Sequence, residues 1–288
     1  MLAVERRTAI QRFRQAVSTS RTWLNRLAAV IGVFFVLFAL PGSGQGGESG
    51  IRVPILLYHR FGPVVTDPMT VTTATFETQL RLLREGGYSV IPLRDLLRSL
   101  EGGRSALPPL AVVFAADDGH RTVYSDMFPL IRKYRIPVTL FIYPSAISNA
   151  SYALTWEQLR EMKASGLVDI QSHTYWHPNF NIERKRLSPE AYDRLVRDQL
   201  TWSKRAIEKR LGSSVDLLAW PFGIYDTALM QTAREMGYVA AFSIDRRPVT
   251  PTENILALPR YIVTDGDRGQ VFKRLLSGPV ETRPVSGY

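Results

Sequence analysis

Short apolar segments alternate with amphipathic segments along the chain from about residue 53 onward. The apolar segments have the length and the β-branched content of buried strands. They predict strands at 53–58, 88–91, 110–116, 137–143, 167–171, 215–220, 238–243 and 257–263. The amphipathic segments predict helices at 73–86, 93–100, 122–134, 155–165, 189–211, 225–236 and 268–276. This alternation predicts an α/β fold with a parallel sheet, and so many strands in this short a chain favour a single-domain, distorted (β/α)7-8 barrel over an open doubly wound sheet.

The first fifty residues have a different pattern. Six arginines between Arg6 and Arg26 precede fourteen uncharged apolar residues at 27–40, and a glycine-rich stretch follows. A basic flank and an apolar segment shorter than the ~20 residues of a membrane helix are typical of an export signal. We expect an exported protein, anchored at the outer face of the membrane if the signal is not cleaved, and periplasmic or extracellular. The expected organisation is a signal or anchor at 1–41, a linker at 42–50, the barrel at 51–280 and a tail at 281–288.

Charge and cysteine content narrow the chemistry. The net charge is +10, but half of it lies in the arginine-rich first 26 residues and the remainder has no long basic run. Nucleic-acid binding needs basic residues clustered on one face, so we expect no nucleic-acid partner. The chain has no cysteine, which excludes disulfides and thiolate ligands, and any metal must be bound by His, Asp or Glu.

Chemically reactive side chains follow the predicted strands. Asp117 and Asp118 come directly after one strand, and His173 and His177 follow another. In α/β folds the carboxyl ends of the strands form the working face. Two imidazole nitrogens and one carboxylate oxygen, with a fourth position left for water, are the ligand set of a catalytic zinc site. The pattern therefore predicts a metal site that includes one of the two aspartates.

The neighbouring aspartates are expected to have different roles. Successive residues of a strand point to opposite sides, so Asp117 and Asp118 cannot do the same job. A glycosidase needs two carboxylates facing each other across ~5–9 Å, usually from different strands. The pair instead suits one carboxylate on the metal and one beside the attacking water, with a solvated Asp-Asp-Gly turn as the structural alternative.

Two segments resemble the motifs of the polysaccharide deacetylases of carbohydrate esterase family 4, also called the NodB homology domain. They are AADDG at 115–119 and HTYWHP at 173–178, and the resemblance covers most of residues 53–263. It implies that Asp117 is the general base and that Asp118, His173 and His177 are the metal ligands. The implied cofactor is Zn²⁺, with Co²⁺ or Ni²⁺ as alternatives.

Two departures from the family pattern point to one branch of it. The segment AWPF at 219–222 lacks the motif arginine that orients the base, and no histidine follows His177. Both departures resemble the branch that deacetylates poly-β-1,6-N-acetylglucosamine, a biofilm polymer. In that branch a histidine of a YHR-like strand end acts as the acid, which implies this role for His59. Arg260 and Asp245 are the candidates for replacing the arginine.

Aromatic side chains near the same edge are candidates for sugar contacts. We expect Trp176, Trp220, Tyr175 and Arg260 to contact the substrate, and Phe222 and Tyr143 to serve in packing. The resemblance implies metal-dependent release of acetate from an N-acetylglucosamine polysaccharide. Chitin or peptidoglycan deacetylation, a catalytically silent sugar-binding barrel, and a membrane-attached scaffold are the alternatives.

Overall fold

The computed structural model describes residues 51–102 and 107–277. The predicted signal or anchor, the linker at 42–50 and the tail at 281–288 lie outside the described residues. Within the described ranges, no helix is both long enough and apolar enough to cross a bilayer.

Ten strands and eight α-helices follow one another in these two ranges. The strands are β1 (Ile55–Tyr58), β2 (Arg60–Gly62), β3 (Thr70–Thr72), β4 (Ser89–Val90), β5 (Ala111–Ala116), β6 (Val138–Ile142), β7 (Val168–Ser172), β8 (Leu217–Ala219), β9 (Ala240–Phe242) and β10 (Tyr261–Ile262). The helices are α1 (Thr73–Glu85), α2 (Leu93–Leu100), α3 (Phe128–Tyr134), α4 (Trp156–Ala164), α5 (Phe180–Arg186), α6 (Pro189–Leu211), α7 (Thr227–Glu235) and α8 (Gly269–Ser277). Every predicted strand and helix is present, although a π-helical turn at Val123–Met127 precedes α3.

The main sheet is parallel and curled, with the strand order β10-β1-β5-β6-β7-β8-β9 and β4 added beside β5. The expected closed barrel needs correction. Within the described residues the end strands β9 and β10 do not pair with each other, and Phe242 of β9 forms an isolated bridge with Leu258, three residues before β10 begins. Pro259 cannot donate a ladder hydrogen bond, so the chain leaves β9 after Leu258 and pairs with β1 only from Tyr261 onward. The result is a curled half-barrel with end strands β10 and β9, rather than a closed barrel.

Alternating strand residues fill two separate cores. In β5, Val112 and Phe114 pack with the residues that face the helices, whereas Val113 and Ala115 belong to the second cluster with Phe141 and Phe242. This alternation follows from the two-residue period of a strand. Because both faces are covered, the strands are almost continuously apolar, which is the pattern seen in the sequence.

The long helix α6 shows how local signals set its limits. The Ser188 hydroxyl accepts a hydrogen bond from Ala191 N, and Pro189 occupies the first helical position. The helix ends at Gly212, which has a φ of 62° and closes the last turn. The helix therefore spans the residues predicted from the sequence.

Candidate active site

The three loops that follow β5, β7 and β8 at the carboxyl edge of the sheet hold four non-glycine residues in the left-handed region. These are Asp118 (φ 71°), Thr174 (φ 65°), His177 (φ 62°) and Phe222 (φ 55°). Such backbone costs on the order of 1 kcal/mol or more per residue and is concentrated at functional sites. Three separate loops thus adopt strained turns at the edge where the sequence placed the reactive side chains.

Asp118, His173 and His177 converge in a way that could hold a metal ion. One potential ligand atom from each residue lies within 4.8 Å of the other two. Asp118 Oδ1 is 3.7 Å from His173 Nε2 and 3.8 Å from His177 Nε2. A carboxylate and two imidazoles in this arrangement suit zinc and leave room for a further ligand.

A hydrogen bond behind His173 orients its ring. His173 Nδ1 lies 2.8 Å from the carbonyl oxygen of Ala219, which can only accept, so the proton resides on Nδ1. This leaves the lone pair of Nε2 directed toward Asp118. Metal-binding histidines are commonly fixed in this way by a backbone carbonyl.

His177 is also suited to a neutral role. Burial, followed by the nearby His173, lowers the pKa of His177 to about 4. Its imidazole is therefore uncharged near neutral pH, and an uncharged imidazole is the form that binds metal. The chemistry and orientation of all three side chains fit a divalent cation.

Asp117 differs from its neighbour Asp118 in its hydrogen-bond partners, although both carboxylates lie 3.7 Å from His173 Nε2. Asp117 is 2% exposed, and its carboxylate accepts two hydrogen bonds from Arg260, at 2.9 and 2.8 Å. Arg260 is itself fully buried, and its Nε donates to Ser243 O. Burial alone would raise the pKa of Asp117, but the charge of Arg260, the nearby His173 and the hydrogen bonds from Arg260 together outweigh it and hold the pKa below its ordinary value.

Of the two candidates for replacing the missing motif arginine, Arg260 is the one that bonds to Asp117. The other candidate, Asp245, accepts hydrogen bonds from Tyr225 and Ser243 and has no hydrogen bond to Asp117. The expectation that Arg260 contacts the substrate needs correction, because its guanidinium is enclosed behind Asp117. A bidentate arginine fixes both the position and the ionisation of a carboxylate.

A cavity of about 320 Å³ opens above these groups. His59 lines it together with Asp117, Asp118, His173 and His177. Its Nδ1 is buried without a hydrogen-bond partner among the described residues. Burial lowers the pKa of His59, although the negative charges of Asp118 and Asp117 partly oppose this. The cavity therefore collects all the polar side chains that the sequence assigned to catalysis and metal binding.

The predicted sugar contacts are distributed differently from expectation. Trp220 lines the cavity but is fully buried, with its indole N–H donating to Leu256 O, so it offers no exposed face. Trp176 is 41% exposed. Tyr175 lies outside the cavity, with its ring against Trp202. Of the four expected contacts, Trp176 alone combines an exposed ring with a place beside the metal-binding pair.

Two aromatic residues assigned to packing line the cavity instead. Phe222 is 41% exposed, and its ring centroid is 4.6 Å from that of His177. Tyr143 also lines the cavity, with its ring centroid 5.4 Å from that of His177. Its hydroxyl forms a hydrogen bond with the hydroxyl of Tyr152. The left-handed turn at Phe222 carries this ring out of the core. A sharp turn is suggested by the Pro-Phe-Gly sequence, which was the available signal.

Comparison with known proteins agrees with this geometry. The polysaccharide deacetylase family model matches residues 105–241. A poly-β-1,6-N-acetyl-D-glucosamine N-deacetylase of Staphylococcus aureus is 24% identical over 209 residues, which are 71% of each chain.

Solved structures share the fold. The Streptococcus pyogenes deacetylase PplD in complex with acetate superposes with a TM-score of 0.70 at 22% identity, covering 79% of this chain and 99% of that one. IcaB from Ammonifex degensii superposes with a TM-score of 0.69 at 24% identity, covering 80% of this chain and 97% of that one. Residues 105–241 therefore match the polysaccharide deacetylases, a family of hydrolases, and this NodB-type domain is homologous to poly-β-1,6-N-acetyl-D-glucosamine N-deacetylase.

Proposed function

We propose that the protein hydrolyses N-acetyl groups of an N-acetylglucosamine polymer, poly-β-1,6-N-acetylglucosamine, in a metal-dependent reaction that releases acetate. The observation that carries this proposal is the convergence of Asp118, His173 and His177 beside the buried carboxylate of Asp117. The homology to an enzyme named for this polymer supports the choice of substrate.

Asp118, His173 and His177 would hold the ion. When bound, a divalent metal supplies Lewis acidity, which polarises an amide carbonyl and makes water a competent nucleophile near neutral pH. The arrangement of the three ligands leaves the cavity side of the site accessible to the substrate's acetyl group.

Asp117 acts as the general base. Arg260 keeps this carboxylate ionised at neutral pH and holds both its oxygens in place. Asp117 Oδ2 is 3.7 Å from His173 Nε2, so the base lies immediately beside the proposed ligand set. It can therefore accept a proton from the attacking water, a contribution that is typically worth about 10²–10⁴-fold in rate.

His59 acts as the acid that protonates the leaving amine. Because its pKa is lowered, the resting imidazole is mainly neutral at pH 7. The proton that it delivers must therefore reach it during turnover, after the water has been deprotonated. The unpartnered Nδ1 is free of competing hydrogen bonds within the described residues.

The proposal is tested by measuring acetate release from oligomers of β-1,6-linked N-acetylglucosamine. We expect release that a chelator abolishes and that Zn²⁺ restores, and we expect it to be lost in His177→Ala. A matched control is His120→Ala, because His120 bonds to Thr122 and stacks on Tyr152, outside the cavity lining. Greater activity on β-1,4-linked chitin oligomers or on peptidoglycan would show that this polymer, and not the β-1,6-linked one, is the substrate. Binding of the oligomers without any release of acetate would favour a silent sugar-binding domain.

We also propose that residues 1–41 direct export and attach the protein to the outer face of the membrane if they are not removed. Their six arginines and apolar stretch at 27–40 support this. In spheroplasts that express the full chain and keep the inner membrane intact, added protease should degrade the protein. Protection from the protease, with equal activity after deletion of residues 1–41, would contradict export.

A further inference from the structure

We propose that a second cavity, formed by the loops that follow β6 and β7 together with helices α4 and α6, binds a stretch of the polysaccharide at a distance from the reacting acetyl group. This inference rests on the proposed function for the identity of its ligand. The cavity measures about 410 Å³, and its lining includes Asn149, Trp156, Glu157, Tyr175, Ala206 and Arg210. We refer to it as the α6 groove.

The α6 groove adjoins the active site, because two loops contribute residues to both cavities. In the loop after β6, Tyr143 lines the catalytic cavity and the next residue, Pro144, lines the groove. In the loop after β7, His173 and His177 line the catalytic cavity and Tyr175 lines the groove. A hydrogen bond from Ser145 N to Tyr175 O, at 3.0 Å, ties the loops together. A polymer held in one cavity is thus placed to extend into the other.

Ala206 and Arg210 of α6 line the groove, and Trp202 lies beside the groove on the same face of the helix, one turn earlier. Trp202, Ala206 and Arg210 are spaced four residues apart, so they lie along one face of the helix over about 12 Å. Trp202 is 47% exposed, and its ring meets that of Tyr175 edge-on at 5.7 Å. The small side chain of Ala206 leaves the space between the aromatic pair and Arg210 open.

The polar groups of the groove suit a carbohydrate. The guanidinium of Arg210 lies over the ring of Trp156, at 5.7 Å, and it forms no hydrogen bond or ion pair with any residue of 51–102 or 107–277. Its donors are therefore available to hydroxyl or acetamido oxygens. The aromatic residues Trp156 and Tyr175 line the groove together with the charged and amide groups of Glu157, Arg210 and Asn149, which is the mixed surface expected of a specific small-molecule or oligomer site.

The test compares long and short substrates. With the full chain, kcat/KM for acetate release is measured on the hexamer and on the dimer of β-1,6-linked N-acetylglucosamine. In Ala206→Trp, which fills the groove, we expect the ratio of the hexamer value to the dimer value to fall about fivefold or more. Arg205→Trp is the matched control, since it adds the same ring at an exposed position about 100° around the same helix. Its ratio should equal that of the unmodified protein.

A second variant keeps the test decisive if the Ala206→Trp protein does not fold. Trp202→Ala removes an exposed ring, so the fold should persist, and the same ratio should fall about threefold to tenfold. An unmodified protein that shows no preference for the hexamer, or variants that keep the preference, would overturn the groove while the proposed function stands. If no oligomer releases acetate, the proposed function fails, and calorimetric binding of the hexamer decides the groove: weaker binding in Ala206→Trp than in Arg205→Trp supports it, and equal or absent binding overturns it.

Discussion

Two arginines pair with carboxylates at opposite ends of the strands of the same sheet. At the carboxyl edge, Arg260 and Asp117 are 0% and 2% exposed and bond through two parallel hydrogen bonds. At the other edge, Arg94 bridges Asp169 and Asp216 at 2.9 and 2.8 Å, but these side chains are 38%, 34% and 28% exposed. The chemical groups are the same, and their surroundings differ.

The difference shows what burial adds to an ion pair. Water competes for the Arg94 cluster, so this pair contributes little energy and joins α2 to the starts of two strands. The Arg260 pair has no such competition. Its removal from water is costly, and it persists because each charge satisfies the other. A buried pair of this kind holds Asp117 in one ionisation state and one position, which is what its proposed role as general base requires.

The largest expected effect comes from removing the charge of the base. Asp117→Asn should lower the rate of acetate release about 10²–10⁴-fold, because the amide cannot take up the proton of the attacking water. The rate is measured under saturating substrate, with the folded fraction checked by circular dichroism. Metal content should stay the same, since Asp118, His173 and His177 are unchanged. A rate within tenfold of the original would remove Asp117 from the role of base.

Breaking the buried pair from its other side tests the comparison directly. Arg260→Met leaves the Asp117 carboxylate buried without its partner, and this should lower the free energy of unfolding by about 3–5 kcal/mol. Urea unfolding provides the measurement. The double variant Asp117→Asn/Arg260→Met removes both charges and should recover part of the loss. A loss below about 1 kcal/mol in the single variant would mean that the buried pair behaves like the exposed one.

The stability that the Asp117–Arg260 pair contributes should depend on pH in the acid range. The pKa of Asp117 lies below its ordinary value in the folded protein, so the stability that this group contributes is complete above the unfolded pKa of about 3.9. It is lost as the pH falls from there through the folded pKa. In metal-free protein, the stability advantage over Asp117→Asn/Arg260→Met should therefore be constant between pH 7 and about pH 5 and shrink below about pH 4. An advantage that grows on acidification would reverse the assigned direction.

The elements that could be predicted from the sequence are those set by local pattern. The strand AVVFAA at 111–116 is apolar throughout because both faces are covered, and α6 carries a serine cap, a proline at its first position and a glycine stop. The helix α5 was not predicted. Its last four residues are all charged, and the seven residues contain too short an apolar pattern. The open half-barrel was not predicted either. It depends on where Pro259 lies between Leu258, which bridges to β9, and Tyr261, which pairs with β1.

Within the site, the residue types were predictable and their long-range partners were not. Asp117 and Arg260 are 143 residues apart, and no local pattern reports that a guanidinium will reach a given carboxylate. The aromatic residues illustrate the same limit. Trp220 and Phe222 are two positions apart in one turn, yet the first is buried and the second is exposed in the cavity, and the left-handed φ of Phe222 decides which.

The smallest effect is expected at the exposed edge. Arg94→Met removes both ion pairs to Asp169 and Asp216, and because all three side chains reach solvent, the free energy of unfolding should fall by about 1 kcal/mol or less. Acetate release should be unchanged, since Arg94 lies at the edge of the sheet away from the catalytic cavity. The same urea titration used for Arg260→Met makes the comparison direct. If Arg94→Met costs as much as Arg260→Met, then exposure does not distinguish the two clusters, and the positioning of Asp117 must come from the surrounding backbone rather than from the buried charge pair.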